Sequence, residues 1–193
     1  MSPKFLRSEA DAAVDALLMQ QVILYPTDTV WGLGCDAELS RAVEQLYKLK
    51  NRPAEKGCIV LVADETMFAR YASVVPTNLP ELLATQTRPT TYIVPGSRHL
   101  APNLLAPDGT IGLRVALTDE FCRLVLRRLG HGLVSTSANT SGQPTPATFG
   151  EVDPELVRKA DYVVNWRQDD TTRAAPSRVV RVLPDGTLET IRE

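Results

Sequence analysis

Apolar positions repeat at helical spacing near the start of the chain (Ala10, Ala13, Val14, Leu17, Leu18), and Ser8 followed by Asp11 is an N-cap signal for that helix. Val22-Ile23-Leu24-Tyr25 then reads as a buried strand ended by Pro26. Ser40 is placed to cap a second helix with Val43, Leu46, Tyr47 and Lys50 on one face, closed by Pro53. Cys58 to Val62 is a continuous apolar run, which predicts a strand covered on both faces. Short helical stretches around 64–72 and 77–85 precede strands at Thr90–Val94 and Thr110–Val115. Thr118 is placed to cap a helix carrying Phe121, Cys122, Val125, Leu126 and Leu129. Gly132–Thr136 reads as a strand running into a polar loop, Ser137 to Thr148. A helix near 151–160, a strand at 162–166, an irregular loop and a hairpin around Asp185-Gly186 complete the order. Helices alternating with buried strands give an α/β sheet layered by helices, and the final hairpin makes the sheet mixed.

Composition narrows the function classes. The 193 residues are 44% hydrophobic and 23% charged, which suits one soluble domain spanning 1–193. No apolar run reaches the roughly 20 residues that span a bilayer, and the first residues lack the apolar core of a secretory signal. Three scattered cysteines and two histidines exclude a disulfide scaffold and argue against a Cys/His metal site, so a reduced, cytoplasmic setting is expected and no metal ligands are assigned. With 21 Lys+Arg against 23 Asp+Glu the net charge is −2, so any nucleic acid must be met by a local patch.

Three segments can carry chemistry. In Tyr25-Pro26-Thr27-Asp28-Thr29-Val30-Trp31-Gly32-Leu33-Gly34 a buried strand breaks at proline and opens into hydroxyls and a carboxylate before two glycines. That pattern either orients a small polar ligand or makes a turn satisfying its own backbone. In Lys50-Asn51-Arg52-Pro53-Ala54-Glu55-Lys56-Gly57, Lys50 shares the inward face of Leu46 and Tyr47, and three cations beside a glycine suit a polyphosphate. A cation complementing a helix C-terminus is the alternative for Lys50. Ser135-Thr136-Ser137-Ala138-Asn139-Thr140-Ser141-Gly142 is a strand delivering neutral donors into a loop, able to hold phosphate or carboxylate oxygens or simply to form a turn. Arg114 interrupts an apolar strand, so it is either paired to a carboxylate or part of a ligand site. Cys35 has no neighbour to activate it and reads as an inert buried thiol. Neither a Walker motif nor G-x-G-x-x-G occurs.

Taken in order, these segments, with Ile111-Gly112-Leu113-Arg114-Val115 and Pro176-Ser177-Arg178-Val179-Val180, resemble the YrdC-like family of threonylcarbamoyl-AMP synthases of the single-domain bacterial type. The resemblance implies a twisted, open, mixed α/β sheet flanked by helices on both faces, with a large concave cleft. It implies nucleotidyl transfer in which L-threonine, bicarbonate and ATP, with Mg²⁺ carried on the ATP, give threonylcarbamoyl-AMP and pyrophosphate. The product would pass to a downstream transferase that modifies adenosine 37 of tRNAs. Carried over residue by residue, Lys50 and Arg52 would be catalytic and, with Lys56, Ser137 and Asn139, would bind ATP, as would Thr110, Thr145 and Arg192. Thr29, Arg114, Ser135 and Ser177 would bind threonine. Three departures from the family pattern stand out: Thr87-Arg88-Pro89 replaces a Pro-Gly-Pro turn, so Arg88 would supply an extra phosphate contact; Leu61 stands where many longer relatives have histidine; and Arg178 follows Ser177 where threonine is usual. Two other readings are an RNA-binding module using a basic cleft and a paralogue of the same fold with another substrate.

Overall fold

The computed structural model describes residues 2–51, 58–95 and 99–193. Helix α1 spans Pro3–Leu18, and Ser2, not Ser8, is its cap, accepting from the Phe5 backbone N–H. Pro3 explains the difference, because proline at the first helical position has the right φ and no N–H to leave unpaired. Strand β1 (Ile23–Tyr25) follows, then β2 (Gly32–Gly34). The sequence pattern gives no strand at β2. Helix α2 is Ser40–Lys50, with Leu39 rather than Ser40 at the cap position and Asn51 closing it in the left-handed conformation. The expected stop at Pro53 lies outside the described residues.

Strand β3 (Ile59–Val62), helices α3 (Glu65–Tyr71) and α4 (Leu79–Thr85), and strands β4 (Thr90–Pro95) and β5 (Thr110–Val115) fall where the apolar pattern puts them. Helix α5 is Glu120–Leu129, and its cap is Asp119 rather than Thr118: one carboxylate oxygen accepts from Cys122 N–H at 2.7 Å. A carboxylate there also complements the helix dipole. Strand β6 (Leu133–Ser137), helix α6 (Pro154–Lys159), the short β7 (Tyr162–Val163) and the hairpin β8 (Arg178–Val182)–β9 (Leu188–Arg192) complete the chain.

Among the described residues nine strands form one mixed sheet in the order β7-β1-β2-β6-β3-β5-β4-β8-β9. β1/β7, β3/β5 and β4/β8 run parallel and the other pairs antiparallel. Alternation along the strands sorts side chains to two faces. Leu24, Val60, Val62, Leu113, Val115, Tyr92 and Val180 pack under α2, α3, α4 and α6 in one core. Ile23, Tyr25, Leu61 and Leu133 pack under α1 and α5 in the other.

The second face is only partly covered. The register aligns Ser135 with Ile59, Ile59 with Gly112 and Gly112 with Ile93, so these four form a row across β6, β3, β5 and β4 on that face. Ile59, Gly112 and Ile93 are half-buried while their neighbours on the opposite face are fully buried. The expectation of a β3 covered on both faces holds at Leu61, which is buried under α1 and α5, and fails at Ile59, where those helices do not reach and the uncovered row is the floor of a cleft.

Gly34 shows how tightly the adjoining strands meet. A Cβ there would lie 2.3 Å from the Val134 carbonyl oxygen and 2.7 Å from the Tyr25 ring, so only glycine lets the ring of β1 lie across β2. No helix among the described residues is long and apolar enough to cross a membrane.

Candidate active site

A cavity of about 410 Å³ opens above the row just described. The loop after β1 supplies Thr27, Thr29 and Val30, β5 supplies Arg114, β6 and its continuation supply Ser135, Thr136 and Ser137, and Thr145, Pro176, Ser177 and Arg192 complete the wall. A second cavity of about 300 Å³ adjoins it, sharing Cys58, Ile59, Ser177 and Arg192 and extending over Thr91, Ile93, Thr110, Ile111, Gly112 and Val179. The first is rich in hydroxyls and holds a buried cation. The second has an aliphatic floor with hydroxyls at its edge.

The residues expected to hold threonine come together. Arg114 is 3% exposed; its Nη2 pairs with Asp28 Oδ1 at 3.1 Å and its Nη1 donates to Thr29 Oγ1 at 3.3 Å. The first reading of this arginine holds, since it is paired to a carboxylate, and it also lines the cleft. The bland reading of the Thr27-Asp28-Thr29 turn holds for Thr27, whose hydroxyl donates to the Val30 carbonyl at 2.7 Å and accepts from the Thr29 and Val30 N–H groups. Ser135 is 6% exposed and faces the Tyr25 phenol, which burial holds well above its ordinary pKa. Ser177 Oγ lies 3.0 Å from Thr91 Oγ1, and the Ser177 carbonyl accepts from Arg192 at 2.7 Å.

The residues expected to hold nucleotide separate into three groups. Ser137, Thr145 and Arg192 line the first cavity, and Thr110 and Arg192 the second. Lys50 and Asn139 stand behind Ser137. Lys50 is 1% exposed, and its ammonium donates to the Ser137 carbonyl and to the Asn139 carbonyl at 2.6 Å. Asn139 in turn accepts from the Ser137 hydroxyl and donates to the Gln143 carbonyl. A buried ammonium requires such acceptors, and this one braces the loop that carries Ser137. Arg52 and Lys56 lie outside the described residues. Arg88 lines neither cavity; it reaches the Pro176 carbonyl at 3.5 Å and Glu193 at 3.9 Å.

Sequence reasoning missed Thr91 and the way Arg167 ties the cleft's rim. Arg167 donates to the Thr27 carbonyl (3.3 Å), Asp119 (3.1 Å) and Asp170 (2.9 Å). Its φ of +60° is a left-handed conformation that nothing in the sequence pattern signals. Asp119 is buried enough that desolvation raises its pKa, although Arg167 and the α5 amide oppose the shift. All three cysteines are buried, and burial pushes the Cys35 and Cys122 thiols upward, away from reactivity.

Comparison with known proteins fits this geometry. A family model described as telomere recombination, joining Sua5, YciO and YrdC, matches residues 15–193. A curated threonylcarbamoyl-AMP synthase of Idiomarina loihiensis is 35% identical over 89% of this chain and 92% of its own length. The crystal structure of P. abyssi Sua5 complexed with L-threonine superposes with a TM-score of 0.81 at 22% identity over 91% of this chain, which spans about half (51%) of that protein. E. coli YciO superposes with a TM-score of 0.79 at 24% identity, covering 97% of this chain and 89% of the other. The two superpositions establish the fold, and the sequence matches establish the membership. The chain belongs to the Sua5/YciO/YrdC family of nucleotidyltransferase-type enzymes.

Proposed function

We propose that the protein makes threonylcarbamoyl-AMP and pyrophosphate from L-threonine, bicarbonate or CO₂, and ATP, as one domain working in the cytoplasm, and that the product goes to the machinery that threonylcarbamoylates adenosine 37 of tRNAs. One observation carries the reading. A buried arginine, two buried serines and a second arginine converge on a hydroxyl-lined cavity that opens directly onto an apolar one. The first suits a small amino acid with a carboxylate, the second the flat, weakly polar part of a nucleotide.

In this reading Arg114 pairs with the threonine carboxylate, with Thr29, Ser135 and Ser177 supplying hydrogen bonds. The amine captures CO₂ to form an N-carboxylate. One of its oxygens attacks the α-phosphorus of ATP while the bond to the β-phosphate breaks and pyrophosphate leaves. Bringing two anions together requires positioning and charge neutralisation more than an acid–base pair. Arg52 and Lys56 are proposed for the phosphates, with Ser137, Asn139 and Thr145. Lys50 contributes its charge from behind the Ser137–Asn139 loop, and Thr110 and Arg192 contact the nucleoside side. Among the described residues the lining of the two cavities contains no carboxylate, and Mg²⁺ carried in on ATP would supply further charge neutralisation.

The test is pyrophosphate release by purified protein with ATP, L-threonine, bicarbonate and Mg²⁺. Release that requires both threonine and bicarbonate supports the proposal, and release indifferent to threonine removes it.

A further inference from the structure

Asp28 does not line the cleft, yet it is one of the two groups that fix the arginine on which threonine recognition depends. The two tethers come from adjacent residues of one turn: Asp28 Oδ1 on Nη2 at 3.1 Å and Thr29 Oγ1 on Nη1 at 3.3 Å. The Thr29 hydroxyl is itself held 3.0 Å from Thr27 Oγ1. Each tether uses one of the two N–H groups on its nitrogen, so Nη1 and Nη2 each keep a second donor, while Nε is enclosed and has no partner among the described residues. The guanidinium is thus held in one plane with a second N–H on each terminal nitrogen left over.

Charge makes the same point. Arg114 is 3% exposed and Asp28 11%, so without the carboxylate a cation would sit almost out of water with only a hydroxyl for company. The Asp28 side chain also borders a separate cavity of about 90 Å³ beside Pro89, Leu117 and Thr118, so its position can be approached without crossing the cleft.

We propose that Asp28 is a positioning residue for the reaction assigned above: it supplies the counter-charge and the tether that hold Arg114 ready for the substrate carboxylate, without touching substrate itself. This rests on the proposed function, so its test reads binding rather than turnover. Titration calorimetry of L-threonine and of a non-hydrolysable ATP analogue would be run on wild type, Asp28→Ala and Asp28→Asn, each with and without sodium formate.

Asp28→Ala is expected to weaken threonine by about tenfold or more, the size of a lost charge-assisted contact. Nucleotide affinity should stay within about twofold. Formate, a carboxylate small enough for the vacated space, should restore at least about threefold of the threonine affinity in Asp28→Ala, whereas in wild type it only competes. Asp28→Asn, which keeps the acceptor and removes the charge, should fall between wild type and Ala and gain nothing from formate. It also keeps the series readable if the Ala variant does not fold.

Threonine affinity within about twofold of wild type in either variant overturns the proposal, as does an equal loss of nucleotide affinity or an absence of formate rescue in a folded Asp28→Ala. A wild type that binds threonine but releases no pyrophosphate defeats the enzymatic reading while the Asp28 series is still decided by binding. A wild type that does not bind threonine overturns both.

Discussion

The two adjoining cavities share a wall and a sheet face, yet they are built on opposite principles. In the first, polar groups are tied down before any ligand arrives: Arg114 by Asp28 and Thr29, Thr29 by Thr27, Ser177 by Thr91 and Arg192. In the second, Ile59, Ile93, Gly112 and Val179 offer shape and apolar surface with a few hydroxyls at the rim. Tethered polar groups recognise a specific arrangement of charges, because the orientation cost is met during folding. An aliphatic floor tolerates modest change, because apolar burial is non-directional. One row runs beneath both, with Ser135 and Ile59 under the first and Ile59, Gly112 and Ile93 under the second. The polar cavity adds Arg114 from further along β5 and residues from the surrounding loops.

The largest test of that contrast is Arg114→Met. Removing one partner of a buried ion pair costs about 2–5 kcal/mol, so threonine-dependent pyrophosphate release should fall on the order of a hundredfold or more. The second cavity should be spared, with nucleotide affinity changed by no more than about threefold by calorimetry. If nucleotide and threonine binding fail together while circular dichroism shows a folded protein, the two cavities are one coupled unit and the comparison is wrong.

A smaller change probes the other side. A Cβ at Gly112 would lie 3.0 Å from Thr91 Cγ2 and 3.1 Å from Ile59 Cγ2, so Gly112→Ala raises the apolar floor by one methyl and pushes on two methyl groups. The expected outcome is a loss of about 1 kcal/mol in stability and a several-fold rise in KM for ATP. The KM for threonine should move less than about twofold, as measured by initial rates of pyrophosphate release. A larger effect on threonine than on ATP would show that nucleotide does not lie over Gly112.

The two cavities also differed in how much of them the sequence disclosed. Arg114 could be read in advance because a charged residue inside an apolar strand must meet an anion, and Ser135 and Ser137 because a strand was seen to run into a polar loop. What the sequence could not disclose was the partner: Arg114 and Thr29 are 85 residues apart, and only the sheet order joins them. The apolar cavity was nearly invisible, since Ile59, Gly112 and Ile93 carry the same alternation as any core strand. They line a cleft only because α1 and α5 leave that part of the face bare. Strand β2 was missed for a related reason, since Gly32-Leu33-Gly34 has too few side chains to show a period and is a strand only because β1 and β6 pair with it. The caps at Ser2 and Asp119 were missed because a nearby residue of equal capping power, Ser8 or Thr118, also fitted the pattern. The main architecture depended on none of these, because long apolar runs such as Ile59–Val62 and the 3.6-residue stripe of α5 leave few alternatives.

The smallest expected effect lies at the rim of the polar cavity, where Arg167 joins Thr27 to Asp170. Thr172, through its hydroxyl and its backbone N–H, and then Arg167 draw the Asp170 carboxyl down from an ordinary 3.8 to about 2. A carboxyl whose pKa is lowered by folding stabilises the protein above its unfolded value, and that stabilisation disappears as pH falls through the folded value. Asp170→Asn should therefore lower stability at neutral pH, by no more than about 1 kcal/mol because the pair is partly in solvent and screened. The gap from wild type should close as pH falls from about 4 to about 2. Urea unfolding of both proteins at several pH values measures it. Threonine affinity should drop slightly at neutral pH and nucleotide affinity not at all, because the clasp holds the turn that carries Thr29 and touches nothing over the apolar floor. A gap that stays constant down to pH 2 would mean that the clasp holds the rim by shape rather than by charge.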